Sequence, residues 1–580
     1  MTARETDPFT IEIVRDALIA TGDEMFVTTQ RTSQTPLVYE VLDFAVGLTD
    51  PEGRMITHGN GIPLFLGTIG PSVVTLLEKY GVEEMADGDI FATNDPYRGG
   101  GTHLSDVTLV MPLFHHGELI AFAANKAHWT DVGGKDTGTV SNDTREVFQE
   151  GLQLPCVRLF HGGELDRNVA DIIASNVRLP DLALGDMQAQ AASCRLAHRR
   201  VGELCEKYGV AAVRGGIDHM FAHSAELARL ELAKLPAGVY EARDRIDQNE
   251  AGDGPYDIAV RVTIDSDTFR CEFLEVPDQL GHPFNCSPTG LESAVRIVFK
   301  ALIAPNELLN DGGFEVLEIA CDRRTLFTAE RPTPTSTYWE VLCCACDLVW
   351  KAVAPAMPDR ATAGHFMSVA CQVVSGIHPE TGELFILFEP NPGGWGAGID
   401  KDGERGLVSI GDGETFIMPV EVTEHRYGLR IEQYAFAVEA AGAGRRRGGE
   451  GIVRDFRVLA DGVAATGFLT RSDTPPWGVD GGHDGSTNEI AFLDAAGTRI
   501  GGGGMSLTHQ VPKGGLIRLA TGTGGGWGDP FEREPELVAA DVRNEFVTVE
   551  QAAAVYGVVV EPGTCTVTGL TEERRAAAAT

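Results

Sequence analysis

Between residues 89 and 134 the chain reads DIFATNDPYRGGGTHLSDVTLVMPLFHHGELIAFAANKAHWTDVGG. Short apolar runs bounded by turn residues predict strands over 90–94, 106–114 and 118–127, the last two joined through a turn at His115–Gly117. Farther along, apolar residues recur at helical spacing over 182–207 and 217–234, and 290–303 and 337–356 are further helix candidates. Residues 257–274 (DIAVRVTIDSDTFRCEFL) alternate like a β-hairpin turning at Asp265-Ser266-Asp267. The last third changes character. Strand-like segments at 416–421, 427–437 and 452–459 stand among glycine-rich stretches, the pattern of a mostly β region punctuated by turns.

These elements define a multidomain α+β class rather than a regular βαβ alternation. The expected organisation is an N-terminal region with the 106–127 hairpin over 1–160, and a central helix-rich α+β region over 161–385. A glycine-rich β region over 386–535 follows, then a C-terminal helix and flexible tail over 536–580, the last 20 or so residues frayed.

Composition narrows the function classes. Acidic side chains outnumber basic ones 84 to 47, a net charge of −37, which repels phosphate backbones and anionic lipid headgroups. No nucleic-acid or membrane partner is expected. No uncharged apolar run approaches the ~20 residues of a spanning helix, and the N-terminus lacks the layout of a secretory signal. Eleven cysteines, an odd number, do not make a disulfide framework. A cytoplasmic location follows as the expectation. Glycine is in excess, 69 of 580 residues against a usual ~7%, and it is clustered.

The candidate chemistry lies on the hairpin. His103-x-x-Asp106-Val and His128-x-x-Asp131-Val bracket it. A turn centred on His116-Gly117 sets 105 opposite 128 and 103 opposite 130, so the four side chains gather at the open end. Two imidazoles with carboxylates suit Zn²⁺, Mn²⁺ or Fe²⁺. Asp43, in the apolar context VLDFAVGL, is a further candidate, since a buried carboxylate needs a partner charge or a metal. The turn Asn94–Tyr97 is expected to shape the mouth of the site. His219 and His223, four apart, read as one helix face. Cys343, Cys344 and Cys346 read as buried thiols, and Arg445–Arg447 as a solvated turn. Gly133-Gly134-Lys135 is followed by Asp136, so no phosphate-binding G-x-x-x-x-G-K-[ST] is present. Any ATP used is expected to be bound by a partner.

The motifs NDPYRGGGTHLSDVTLV (94–110) and AHWTDVGG (127–134) resemble the hydantoinase B family. The resemblance continues through LDFAVGLTDPEGRM, QEGLQLP, NVRLPDLALGDMQAQ, GGWGAG, GAGRRRGGEG, PPWGVDGG, GGGWGDPFERE and DVRNEFVTVEQAAAVYGVV. It implies one divalent metal ion (Mn, Zn or Fe) held by Asp43, His103, Asp106 and His128. His128 and Asp131 are the implied catalytic residues, Asp131 as general base or as orienter of His128 or a water. It also implies a hydantoinase A-type ATPase partner, in a hetero-oligomer such as α2β2, that phosphorylates a cyclic amide for hydrolysis. Alternatives are a subunit of an ATP-dependent ketone carboxylase using the same metal, and a non-catalytic scaffold. Two segments depart from the family pattern: Gly61–Gly67 lacks the family's two histidines, and Glu272–Val276 replaces a D-F-x-G-[TS]-like motif. Where such positions line the substrate cavity, substrate choice changes.

Overall fold

The structure is a computed structural model, which describes residues 7–100, 102–437 and 441–577. The hairpin sits near the middle of a seven-stranded antiparallel sheet. Its strand order is Met55–Gly61, Phe44–Thr49, Glu118–His128, Asp106–His115, Ile90–Thr93, Val157–His161, Glu164–Leu165. Both faces are covered, so these strands read as nearly continuous apolar runs. Val107, Leu109, Met111 and Leu113 pack with Val14, Leu18 and Met25 of helix Pro8–Thr32 and with helix Pro180–Tyr208. Val110, Phe122 and Ala124 face the other way, toward Leu64, Phe65 and Ile69 of helix Pro63–Lys79. The period-2 alternation thus sorts one strand between two cores.

Beyond helix Pro63–Lys79 lie helices Pro288–Ile303 and Tyr338–Val353, against which a four-stranded sheet packs. That sheet contains the expected 257–274 hairpin as Tyr256–Ile264 and Phe269–Glu275. The helices expected at 182–207, 217–234, 290–303 and 337–356 are all present, the second beginning earlier, at Val210. The mixed helix and sheet content is that of a multidomain α+β fold. The expected boundary at 385/386 falls inside strand Leu384–Glu389, which pairs with Cys371–Ile377 in a sheet completed by Val463–Phe468 and His509–Val511.

Several expectations are corrected. Of the tight turns and close backbone approaches that the glycine clusters of the last third suggest, the close approaches dominate. Gly394, Gly442, Gly449, Gly524 and Gly526 lie outside any strand or helix in segments hydrogen-bonded through their backbones: Gly394 N donates to Gly522, Gly442 N to Gly524, Gly524 N to Gly449, and Gly526 N to His483. A Cβ on any of these five would meet neighbouring backbone at under 3.0 Å. Glycine is there because backbone packs on backbone. Residues 416–421 form no strand; a helix, Val420–Arg426, begins there instead. Strands Val558–Glu561 and Thr566–Leu570 and helix Glu572–Ala577 give the C-terminal segment regular structure as far as 577. Arg447 is buried rather than solvated, ion-paired with Glu450 and Asp541.

Candidate metal centre

Three neighbouring strands deliver the site. Strand Glu118–His128 ends on His128, flanked on one side by Asp43, just before strand Phe44–Thr49, and on the other by Asp106, which opens its own strand. The register differs from the expected one by a residue. A bulge between Leu113 and Phe114 shifts the ladder, so that Asp106 rather than Ser105 faces His128, and Ser105 accepts from Trp129 N. His103 joins through a tight turn in which Asp106 N donates to the His103 carbonyl. Asp43 is fixed by its own carbonyl, which accepts from His128 N at 3.1 Å.

The donor atoms converge. His103 Nε2 lies 3.0 Å from Asp106 Oδ1 and 3.3 Å from His128 Nδ1, which is itself 3.3 Å from Asp106 Oδ1. Asp43 Oδ2 stands 3.7 Å from His128 Nδ1. Metal–nitrogen bonds of ~2.0–2.1 Å in tetrahedral geometry require ligand atoms about 3.3 Å apart, so the spacing fits a divalent ion. His103 Nδ1 donates to the Ser336 carbonyl at 3.0 Å, so Nε2 is the ring nitrogen that faces the group. The other ring nitrogen of His128 is buried with no hydrogen-bond partner. Tyr338 Oη donates to Asp106 Oδ2 at 2.9 Å.

Electrostatics set the two carboxylates apart. Burial opposes charge on Asp106, but attraction and hydrogen bonds from His103 and His128 outweigh it and hold this carboxyl well below its usual range. Burial drives Asp43 well above that range, and the charges of Asp106 and Asp412 act in the same sense. His128 is pushed down, chiefly by burial. A bound cation reverses the penalty on Asp43.

Around the group is a small cavity of about 30 Å³, enough for one or two waters and far below the ~300–1,000 Å³ of ordinary ligand pockets. Ile62, Leu64 and Phe65 line it, from the segment that lacks the family's histidines. Glu272–Glu275 lies at the end of a strand of another sheet, with Leu274 exposed, and takes no part.

Asp131 is not in the group. Its carboxylate accepts from Gly133 N, Gly138 N and Arg178 N and pairs with the Arg178 guanidinium at 2.9 Å. Beyond His128 the chain leaves the sheet, so the second H-x-x-D repeat does not place its aspartate as the first does. Asn94 is buried, donating to the Leu104 and Leu152 carbonyls, and braces the loop before His103 instead of lining the cavity. Lys126, on the same strand face as His128, donates to Thr68 Oγ1 and the Gly100 carbonyl, and burial lowers it to about 7. His219 and His223 are both exposed on one helix face, and Cys343 and Cys346 are buried free thiols. Tyr338, Ser336 and Asp412, all at or beside the cavity, carry no motif that marks them in the sequence.

An α+β protein with a buried His/Asp group able to hold a metal ion at the end of an antiparallel hairpin is what this fold and site define. The family model for hydantoinase B/oxoprolinase matches residues 7–530, and the chain belongs to that family. A Methanocaldococcus jannaschii protein described as uncharacterized is 31% identical over 96% of both chains. One subunit of a putative D-/L-hydantoinase from a Pseudomonas strain is 28% identical, again over 96% of both. Among solved structures, the ATP-dependent caprolactamase from Pseudomonas jessenii superposes with TM-score 0.89 and 25% identity over the full length of both chains. A nucleotide-free acetone carboxylase superposes with TM-score 0.91 over 99% of this chain and 83% of its own; at 21% identity this shows the shared fold. No helix among the described residues is long and apolar enough to cross a membrane.

Proposed function

We propose that this chain is the metal-bearing subunit of an ATP-dependent enzyme that hydrolyses a cyclic amide, working with a separate ATPase subunit in a hetero-oligomer. The observation that carries the reading is the convergence of His103, Asp106 and His128, with Asp43 beside them, in one small cavity. A divalent ion held by these four side chains supplies Lewis-acid chemistry, polarising a carbonyl or acidifying water. Ser336 and Tyr338 orient the ligands: the first fixes the His103 tautomer, the second holds the Asp106 oxygen that His103 does not use. Apolar Ile62, Leu64, Phe65 and Phe388 line the cavity and exclude water from the ligands. Asp131, with its oxygens taken by backbone and Arg178, acts as a loop clamp rather than as the general base.

The partner enters for a chemical reason. Amide resonance protects the carbonyl, and phosphorylating its oxygen creates a better electrophile with a leaving group. This chain carries no phosphate-loop motif, and the similar proteins are named as a subunit or as ATP-dependent.

The test is co-expression with the ATPase subunit, elemental analysis, and assay of hydantoin, 2-pyrrolidone, 2-piperidone and ε-caprolactam with ATP. Near-stoichiometric metal and ATP-dependent ring opening are expected. A complex without metal points to a scaffold, and bicarbonate-dependent ATP use with no hydrolysis points to a carboxylase; either removes the proposal.

A further inference from the structure

Buried carboxylates in this protein are well supplied with donors almost everywhere. Asp186 accepts from Gln34 N, Thr35 N and the Thr35 hydroxyl; Glu150 from Thr335 N, Ser336 N and Thr144; Glu340 from Val369 N, Thr470 N, Ser368 and the Thr470 hydroxyl. Glu389 and Asp347 have arginine partners. Among the described residues, two depart from this pattern, and both line the same cavity. Asp43 is one, and the metal group accounts for it. The other is Asp412.

Asp412 is 5% exposed. Among the described residues its carboxyl has one donor, Ser409 Oγ at 3.2 Å from Oδ2, and no cationic partner. It stands outside the donors gathered around Asp106, yet it lines the cavity with Asp43, His103 and His128. It arrives on the irregular segment 405–418. There Gly411 lies against Leu64, whose N–H donates to the Gly411 carbonyl, and Gly413, at φ +58°, rests on Pro63. An ionised carboxylate is costly to bury with so little support; burial first, then the Glu340 charge, raises it to about 7. The cavity wall therefore holds a carboxyl group, short of donors, that can give up and regain a proton near neutral pH.

We propose that Asp412 is the general acid of ring opening, protonating the ring nitrogen as the amide C–N bond breaks. The inference rests on the cyclic-amide reading above. Water adds to the carbon of the O-phosphorylated amide, a protonated imidate, as the C=N π pair returns to nitrogen; one water proton passes to solvent, leaving a tetrahedral carbon that bears a hydroxyl, the phosphorylated oxygen and the ring N–H. The C–N bond then breaks, its electron pair passes to nitrogen, and nitrogen takes the Asp412 proton. A lone pair on the hydroxyl oxygen re-forms the carbonyl, and the hydroxyl proton returns to Asp412; the ring-opened product is an acyl phosphate, and a second water hydrolyses it to the carboxylate and phosphate. Without that proton the nitrogen is the poorer leaving group. The same carbon then expels phosphate instead, returning the intact ring and wasting ATP.

The test uses the complex with its ATPase subunit and two probes of equal ring size. The nitrogen of 2-piperidone departs as a basic alkylamine; that of glutarimide departs as a weakly basic amide that needs no acid. The nearly isosteric Asp412→Asn should retain metal and ATP consumption. Its lactam opening should fall by about 10²–10⁴-fold, the usual contribution of a positioned acid, while imide opening falls less than about tenfold. Asp412→Ala, run in parallel, should give the same split if the carboxamide disturbs the loop. Unchanged lactam opening, an equal loss on both probes, or loss of the metal would each overturn the assignment. A wild-type complex that opens neither ring fails before any variant is compared, and that result removes the proposed function itself.

Discussion

In the seven-stranded sheet of residues 44–165, what distinguishes one position from the next is a side chain; in the glycine-rich assembly of residues 393–528 it is the lack of one. At the end of the hairpin, the candidate chemistry is concentrated in four side chains, of which Asp106 and His128 stand on ordinary antiparallel ladder. In the glycine assembly, Trp395, Gly449, Gly524 and Gly525 lie backbone against backbone, and none of them carries a titrating group. The two regions are expected to fail in opposite ways, the first by losing function while keeping its fold, the second by losing the fold.

The largest expected effect breaks the second region. Gly524→Ala puts a methyl into the Trp395 carbonyl and Gly396 N, both backbone atoms that cannot step aside. A loss of more than about 4 kcal/mol is expected, seen as insoluble expression or a collapsed thermal transition. Next comes His128→Ala, which should abolish metal binding and turnover while leaving far-ultraviolet circular dichroism and the melting transition in place. Wild-type turnover in a metal-free His128→Ala complex would end the metal reading. Tyr338→Phe removes one hydrogen bond to Asp106 and should weaken metal affinity about 10–100-fold, measured by competition with a chelator. Asp131→Asn sharpens the contrast within the first region. As a clamp on Gly133, Gly138 and Arg178, it should cost roughly 2–4 kcal/mol in urea denaturation with metal content unchanged. A variant of full stability but no activity would restore Asp131 as the base. The smallest effect is expected of His219→Ala, exposed on its helix, within about ±0.5 kcal/mol.

The sequence made the hairpin legible because its two strands are bounded by clear turn residues. It did not reveal the bulge at Leu113/Phe114, a one-residue shift among apolar residues that look alike. So the candidate ligands were readable as a group, but the pairing of Asp106 with His128 was not. Helix Pro8–Thr32 was invisible for a related reason. Thr21, Gly22 and Thr29 are buried on it beside Leu18 and Met25, and Gly22 is needed where the helix touches the His58 backbone, so no apolar stripe forms. Glycine clusters left the choice between turns and close backbone packing open, because both draw on the same residue. Asp412, between Gly411 and Gly413, has the composition of a surface turn, and only the packing of that segment on Pro63 and Leu64 turns it inward.

The bulge also bears on how this protein tolerates insertions and deletions. Leu113 lies seven residues from Asp106, about 24 Å along the strand, yet it sets which residue Asp106 faces. Shortening the exposed tip at His116-Gly117 by one residue, or deleting the bulged position, slides one strand against the other. Because side chains alternate between faces, a slip of one turns Asp106 or His128 into the opposite core. Changes of length at this remote tip are therefore expected to be as damaging to the site as changes to the ligands, whereas substitutions there are expected to be nearly silent.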